Sequence, residues 1–261
     1  MRGITRDTFV ETVDRKIIYV FLGLTVFGLL IVFLTRNAEF NIRVQTNGSD
    51  LSALMFDPIL SASKAFLSIL LFLAVMASTA HFPTMLERGR AEFYLAKPLS
   101  RQSLLLNKFL GLLTVYGGIV LLSGFLCYSL LAAVHGVFTL QILYLFLAYL
   151  LSLTIWLSVT TVAAVFSGST AMTVMTAFLV WAFQAILAVH TAIKAFFNSA
   201  VFGYVIDTLY YIVPKNSAVE TTGLMMAGGR SVDDWIPIWS SMLFAAAALY
   251  AAVLIIKRKD Y

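Results

Sequence analysis

Eighteen consecutive residues, Ile17 to Leu34, carry no charge, and at a rise of about 1.5 Å each they nearly cross a hydrocarbon core of about 30 Å. Similar apolar runs follow at about 65–82, 109–134, 140–166, 171–189 and 237–256. Inside lipid every backbone polar group must be paired within its own segment, so such runs become helices. The predicted fold is an all-α integral membrane protein: one transmembrane domain over 1–261 with six spans.

Composition supports this reading. The chain is 61% hydrophobic and only 12% charged, with a mean hydropathy of +0.91, whereas a soluble domain averages about 25% charged residues. A cleaved leader is the rival for the first run. Its apolar core would be about 7–15 residues long, however, and Leu34-Thr35-Arg36-Asn37 offers no small-x-small cleavage site. The pI near 9.3 needs no nucleic acid as partner, since basic residues beside spans orient the protein and touch anionic membrane lipid.

Ahead of the first span, residues 3–16 pattern as a surface helix, with Phe9, Val13 and Ile17 spaced by four and Arg6, Asp7, Glu11 and Asp14 elsewhere around it. Residues 35–64 form a polar loop whose Asn47-Gly48-Ser49 reads as a turn. His135-Gly136 begins a brief connection, and Ser167-Gly168-Ser169-Thr170 is a tight hairpin that makes spans four and five antiparallel neighbours. Residues 190–235 are mixed. Phe196, Phe197, Val201, Tyr204, Val205, Leu209 and Ile212 give a helical apolar pattern interrupted by Lys194, Asn198 and Asp207. That suits a re-entrant or interfacial helix ending at Pro214, followed by an aqueous loop over Lys215 to Asp234. With the N-terminus inside, the loops hold twelve basic residues on the cytoplasmic side against six outside. This places both termini in the cytoplasm.

Few residues suggest chemistry. The spans as read contain hydroxyls but no carboxylate, lysine or arginine, which argues against a proton relay or ion-coupled carrier. His81, His135 and His190 each stand near a span end and read as interfacial residues rather than metal ligands. Cys127 reads as a packing residue. Metalloprotease helix, nucleophile elbow and P-loop patterns are all missing, so the chain is expected to be no enzyme, with no catalytic residue, metal or bound cofactor. No span shows a charged or aromatic pocket that would select a ligand.

The exception to the apolar pattern is residues 83–111. Arg88, Arg90, Lys97, Arg101 and Lys108 supply five of the eighteen basic residues in one short connection. Pro83 is expected to end the second span. Thr84 to Ala96 then forms a short helix with Met85, Leu86, Gly89 and Phe93 on one side and Glu87, Arg88, Arg90 and Glu92 around the remainder. Lys97-Pro98-Leu99 breaks that helix, and Ser100 is placed to cap the next. On composition alone this is equally a basic, well-capped turn that obeys the charge rule for cytoplasmic loops.

Three stretches of this segment, Glu87-Arg88-Gly89, then Phe93-Tyr94-Leu95-Ala96-Lys97-Pro98-Leu99-Ser100-Arg101, then Leu104-Leu105-Leu106-Asn107-Lys108-Phe109-Leu110-Gly111, together resemble the signature of type-2, export-type ABC transporter permeases. Gly89, Pro98, Ser100, Arg101, Lys108 and Gly111 match in order and spacing. Arg90-Ala91 and Asn107 depart from the family's usual Thr-Leu and Gly. The six-span layout extends the likeness over most of the chain, closest in general appearance to the branch linked to multi-copper-enzyme maturation.

The resemblance implies a subunit of the bacterial inner membrane, paired with a second permease copy and two ATP-binding cassette subunits. ATP and magnesium would sit on those partners. Residues 84–108 would be the coupling segment, with Glu87, Arg88, Gly89, Arg90, Glu92, Phe93, Leu95, Lys97, Pro98, Ser100 and Arg101 meeting the ATPase. Two alternatives stand beside it. One is a non-transporting ABC membrane subunit that passes ATPase motion to a periplasmic partner through loops 35–64 and 190–235. The other is an anchor or assembly subunit of a membrane complex.

Overall fold

Helices dominate because the sequence leaves the backbone no other way to pair in lipid. The computed structural model describes residues 2–34, 58–86, 100–136, 138–188, 204, 208–210 and 212–258. In chain order the helices are α1 (Arg2–Asp14), α2 (Ile17–Leu34), α3 (Pro58–Ser78), α4 (His81–Leu86), α5 (Arg101–His135), α6 (Ile142–Ser167), α7 (Thr170–Ala188), α8 (Asn216–Ala227) and α9 (Ile236–Arg258). Six helical segments among the described residues are long and apolar enough to cross a membrane, the second of them running through α3 and α4.

α6 is the axis of the bundle. Tyr149, Leu153, Ile155, Leu157, Ala164 and Val165 are wholly buried although they point around most of its circumference. A helix apolar on every side needs neighbours on every side, and α3, α4, α5, α7, α8 and α9 all pack on it. α5 is the second organiser, holding α1, α2 and α3. By contrast Tyr19, Leu22, Phe27 and Leu34 on α2, and Trp239, Leu243 and Tyr250 on α9, stand exposed as lipid-facing side chains do.

Local chemistry fixes the turns. Ser100 lies in extended backbone and its hydroxyl accepts from the Ser103 N–H, capping α5 as its sequence position predicts. The α6–α7 hairpin closes on Gly168 at φ +66°, a left-handed conformation that suits glycine, and Gly168 N–H returns to Ala164 C=O. The predicted neighbours α6 and α7 do pack together. Between α1 and α2 the turn falls on Lys16, which adopts φ +59° despite its side chain.

Several boundaries differ from the sequence reading, and charged residues explain most of them. α3 begins at Pro58, so Lys64 lies inside the helix rather than in the preceding loop. α5 begins at Arg101, directly after the expected cap Ser100, so the helix runs ahead of the apolar stretch read as the span from 109 and includes Lys108. Its 35 residues reach about 50 Å, more than a bilayer core needs. Pro83 does not end the span: the break falls at Thr79–Ala80, and Pro83 sits buried in the first turn of α4, where its missing N–H has no helical partner to lose. The largest correction concerns residues 216–227. They form a helix, α8, whose Val219, Thr222 and Gly223 are buried against α6, instead of an aqueous loop. The loop around Asn47, and most of the helical pattern at 190–212, lie outside the described residues.

α1 also turns a different face inward. Thr8 and Thr12 are wholly buried while Phe9 is 50% exposed, so two hydroxyls, rather than Phe9, face the protein, and Asp7 and Asp14 stay exposed.

Candidate functional site

Two clusters of polar groups stand out among otherwise apolar packing. The first lies where α1, α4 and α5 meet, beside both flanks of the charged segment. Glu11, on α1, is its centre. Its Oε2 accepts from Lys108 Nζ at 2.8 Å, with Lys108 only 2% exposed. His81 Nδ1 lies 3.1 Å from the same oxygen, a close electrostatic approach without good hydrogen-bond alignment. The other face of the His81 ring is held by Tyr116, Nε2 to hydroxyl 2.8 Å. Glu11 Oε1 accepts from Arg15 at 2.9 Å and lies 3.3 Å from the Thr84 hydroxyl, whose single proton is closer to Ala80 C=O at 2.8 Å.

Burial opposes the charge on Glu11, but the contacts with His81 and Lys108 outweigh it and hold the carboxyl well below the usual carboxylate range. His81 is therefore a wholly buried member of a network, not the interfacial residue expected. Lys108 and Lys64 likewise show that the helices do carry ionisable groups. Sequence periodicity had no means of finding the Glu11–Lys108 pair, because 97 residues separate its members.

Of the residues proposed for ATPase coupling, Ser100 and Arg101 are placed at the start of α5. Glu87, Arg88, Gly89, Arg90, Glu92, Phe93, Leu95, Lys97 and Pro98 lie outside the described residues.

The second cluster lines a cavity of about 350 Å³ between α3, α6, α7 and α8. Its apolar wall includes Phe72, Trp156, Phe178 and Trp181, and its polar edge includes Ser68, Gln184, Asn216 and Glu220. A pocket with aromatic walls and a carboxylate thus exists where the sequence suggested none. Asn216 is 3% exposed, yet neither atom of its amide group has a hydrogen-bond partner. Gln184 Nε2 is also buried without one.

Glu220 Oε2 stands 3.4 Å from the Tyr149 hydroxyl. That hydroxyl has a single proton and also lies 2.9 Å from Lys64 C=O and 2.6 Å from Ser68 Oγ, so Glu220 receives little from it. Lys64 Nζ donates to Thr221 at 3.3 Å. Burial pushes Glu220 up to about 7, against the opposing influence of Lys64 and Tyr149.

Most membrane hydroxyls serve neither cluster. Ser63, Ser78, Thr154, Ser158 and Thr161 donate to carbonyls one turn back in their own helices, which satisfies them without a ligand. Among the described residues no group of three or more His, Cys, Asp or Glu side chains could hold a metal ion. No protein-family model matches the chain, and no curated protein matches it.

Proposed function

We propose that this chain is the membrane subunit of an ABC transporter, coupling ATP hydrolysis on a separate ATP-binding subunit to movement of a substrate across the bacterial inner membrane. In this reading it pairs with a second permease, both its termini are cytoplasmic, and the ATPase docks on residues 84–108. The sequence signature at 87–111 motivates the assignment. The single observation that supports it is mechanical: Glu11 binds α4 through His81 and Thr84 and α5 through Lys108, so both flanks of the charged segment share one buried anchor.

A push on a segment mounted this way passes into α3–α4 and α5 together, because the Glu11–Lys108 pair with His81 beside it resists rearrangement. Were the segment merely a basic turn, its flanks would need no common tie to the N-terminal helix.

The test is affinity purification from native membranes. An ATP-binding cassette protein is expected to co-purify, and charge reversal at Glu87 or Arg101 to uncouple its ATPase activity from the membrane subunit. Purification without any ATP-binding partner would refute the assignment.

A further inference from the structure

Unpaired buried groups specify what a cavity lacks. Asn216 presents one amide acceptor and one amide donor, Gln184 a second donor, and Glu220 a carboxylate, all lining the space enclosed by Trp156, Phe178 and Trp181. Buried polar groups are ordinarily hydrogen-bonded, so three unpaired atoms on two residues that line the cavity favour a polar occupant. The donors call for an acceptor oxygen. The carboxylate and the aromatic faces call for a cation, since ring faces carry negative potential.

We propose that this cavity binds a protonated alkylamine bearing an acceptor oxygen near its nitrogen, with Glu220 as counter-charge, Asn216 and Gln184 as hydrogen-bonding partners, and Trp156, Phe178 and Trp181 against its apolar part. Lys64 attracts Glu220 electrostatically, but neither it nor Lys215 lines the cavity: Lys64 Nζ donates to Thr221 at 3.3 Å, and Lys215 lies over the Tyr210 ring at 4.4 Å while donating to Ser240. The volume of about 350 Å³ is at the lower end of small-molecule sites. Trp181 and Phe178 line the cavity and are 57% and 46% exposed, so an alkyl tail would leave along them. This site is independent of the coupling role proposed above.

The same chemistry belongs to a free amino alcohol and to an ethanolamine lipid headgroup, and one experiment separates them. The full chain in maltoside micelles is titrated with N-dodecylethanolamine and with ethylene glycol monododecyl ether, which replaces the charged nitrogen by oxygen at nearly constant shape. Saturable quenching of tryptophan emission is expected for the amine and not for the ether. Glu220→Gln is expected to weaken the amine about tenfold and Trp181→Ala about threefold.

Displacement of the probe by phosphatidylethanolamine assigns a lipid source, and displacement by free ethanolamine a water-borne one. Equal binding of amine and ether, or unchanged affinity in a Glu220→Gln protein that still elutes as the folded species, overturns the proposal. Should Glu220→Gln fail to fold, Trp181→Ala gives the same decision, because that side chain is half exposed and its loss leaves the bundle intact.

Discussion

Glu11 and Glu220 are the same residue in opposite circumstances. Both are carboxyls set partly inside an apolar bundle. Glu11 has gathered Lys108, His81, Arg15 and Thr84 around its two oxygens. Glu220 has the electrostatic pull of Lys64 and one long contact to a tyrosine hydroxyl that is better engaged elsewhere. Burial is common to the two and raises the carboxyl in each, yet the outcome is a strongly acidic group at one site and a value near 7 at the other. Pairing decides the sign. A buried charge that is fully matched is a fastening, while one left short of partners marks a place prepared for something from outside.

The comparison breaks most sharply at Glu11. Glu11→Ala leaves Lys108 buried and uncompensated, and a loss of about 3–5 kcal/mol is expected. Thermal unfolding in detergent would show it, and the double variant Glu11→Leu with Lys108→Met is expected to recover most of the loss, because it removes the unmatched charge. Failure of that rescue would mean that the cluster does more than cancel charge.

The next effect tests the packing of α8. A Cβ built at Gly223 falls 2.4 Å from Ala148 Cβ and 3.2 Å from Tyr144 C=O. Gly223→Val is therefore expected to displace α8 from α6 at a cost of about 1–3 kcal/mol. Because α8 carries Asn216 and Glu220, binding at the cavity is expected to fall with it. A variant as stable as the parent would contradict the observed approach of the two helices.

pH sets the two carboxyls against each other. Glu220, raised in the folded protein, contributes stability that is present below its unfolded value and lost as pH rises through about 7. Glu11, depressed in the folded protein, contributes stability that is present above its unfolded value of about 4.3 and lost as pH falls toward its folded value. The melting temperature is expected to drop by a few degrees from about pH 5 to about pH 8, and Glu220→Gln to flatten that slope. Glu11→Gln is expected to flatten only the acid limb. Saturating amine ligand would also remove the Glu220 slope, by adding a counter-charge inside the cavity.

The smallest effect belongs to the ordinary interior. The Thr25 hydroxyl lies 2.8 Å from Ser123 Oγ between α2 and α5 and 2.7 Å from Phe21 C=O in its own helix, with one proton to share between them. Ser123→Ala is expected to cost only about 0.6 kcal/mol, the average for hydrogen bonds between membrane helices. The same unfolding assay sets this baseline for the larger changes.

How far the sequence was readable follows the same division. Long apolar runs marked the six spans because lipid imposes a length and a composition on each of them, and Ser100 and Gly168 marked local ends through their own backbone chemistry. Charged residues misled. Lys64 and Lys108 were natural places to end the polar flank of a span, yet each lies in a helix that packs into the bundle, where a distant side chain accepts from it: Thr221 in one case and Glu11 in the other. α8 was missed for a related reason. It packs through Val219, Thr222 and Gly223, small or polar residues whose value lies in close approach rather than hydrophobicity, and such a stripe has no apolar periodicity. The cavity was invisible since its lining comes from four helices spread between Ser68 and Glu220.

The Glu11–Lys108 tie also imposes an order in time. Glu11 precedes Lys108 by 97 positions, so while the chain is being made its carboxylate has Arg15, one turn away, as partner before Lys108 arrives with the third span. α1 is therefore held first through α2, which follows it directly, and is fastened to α5 only once that span is in place.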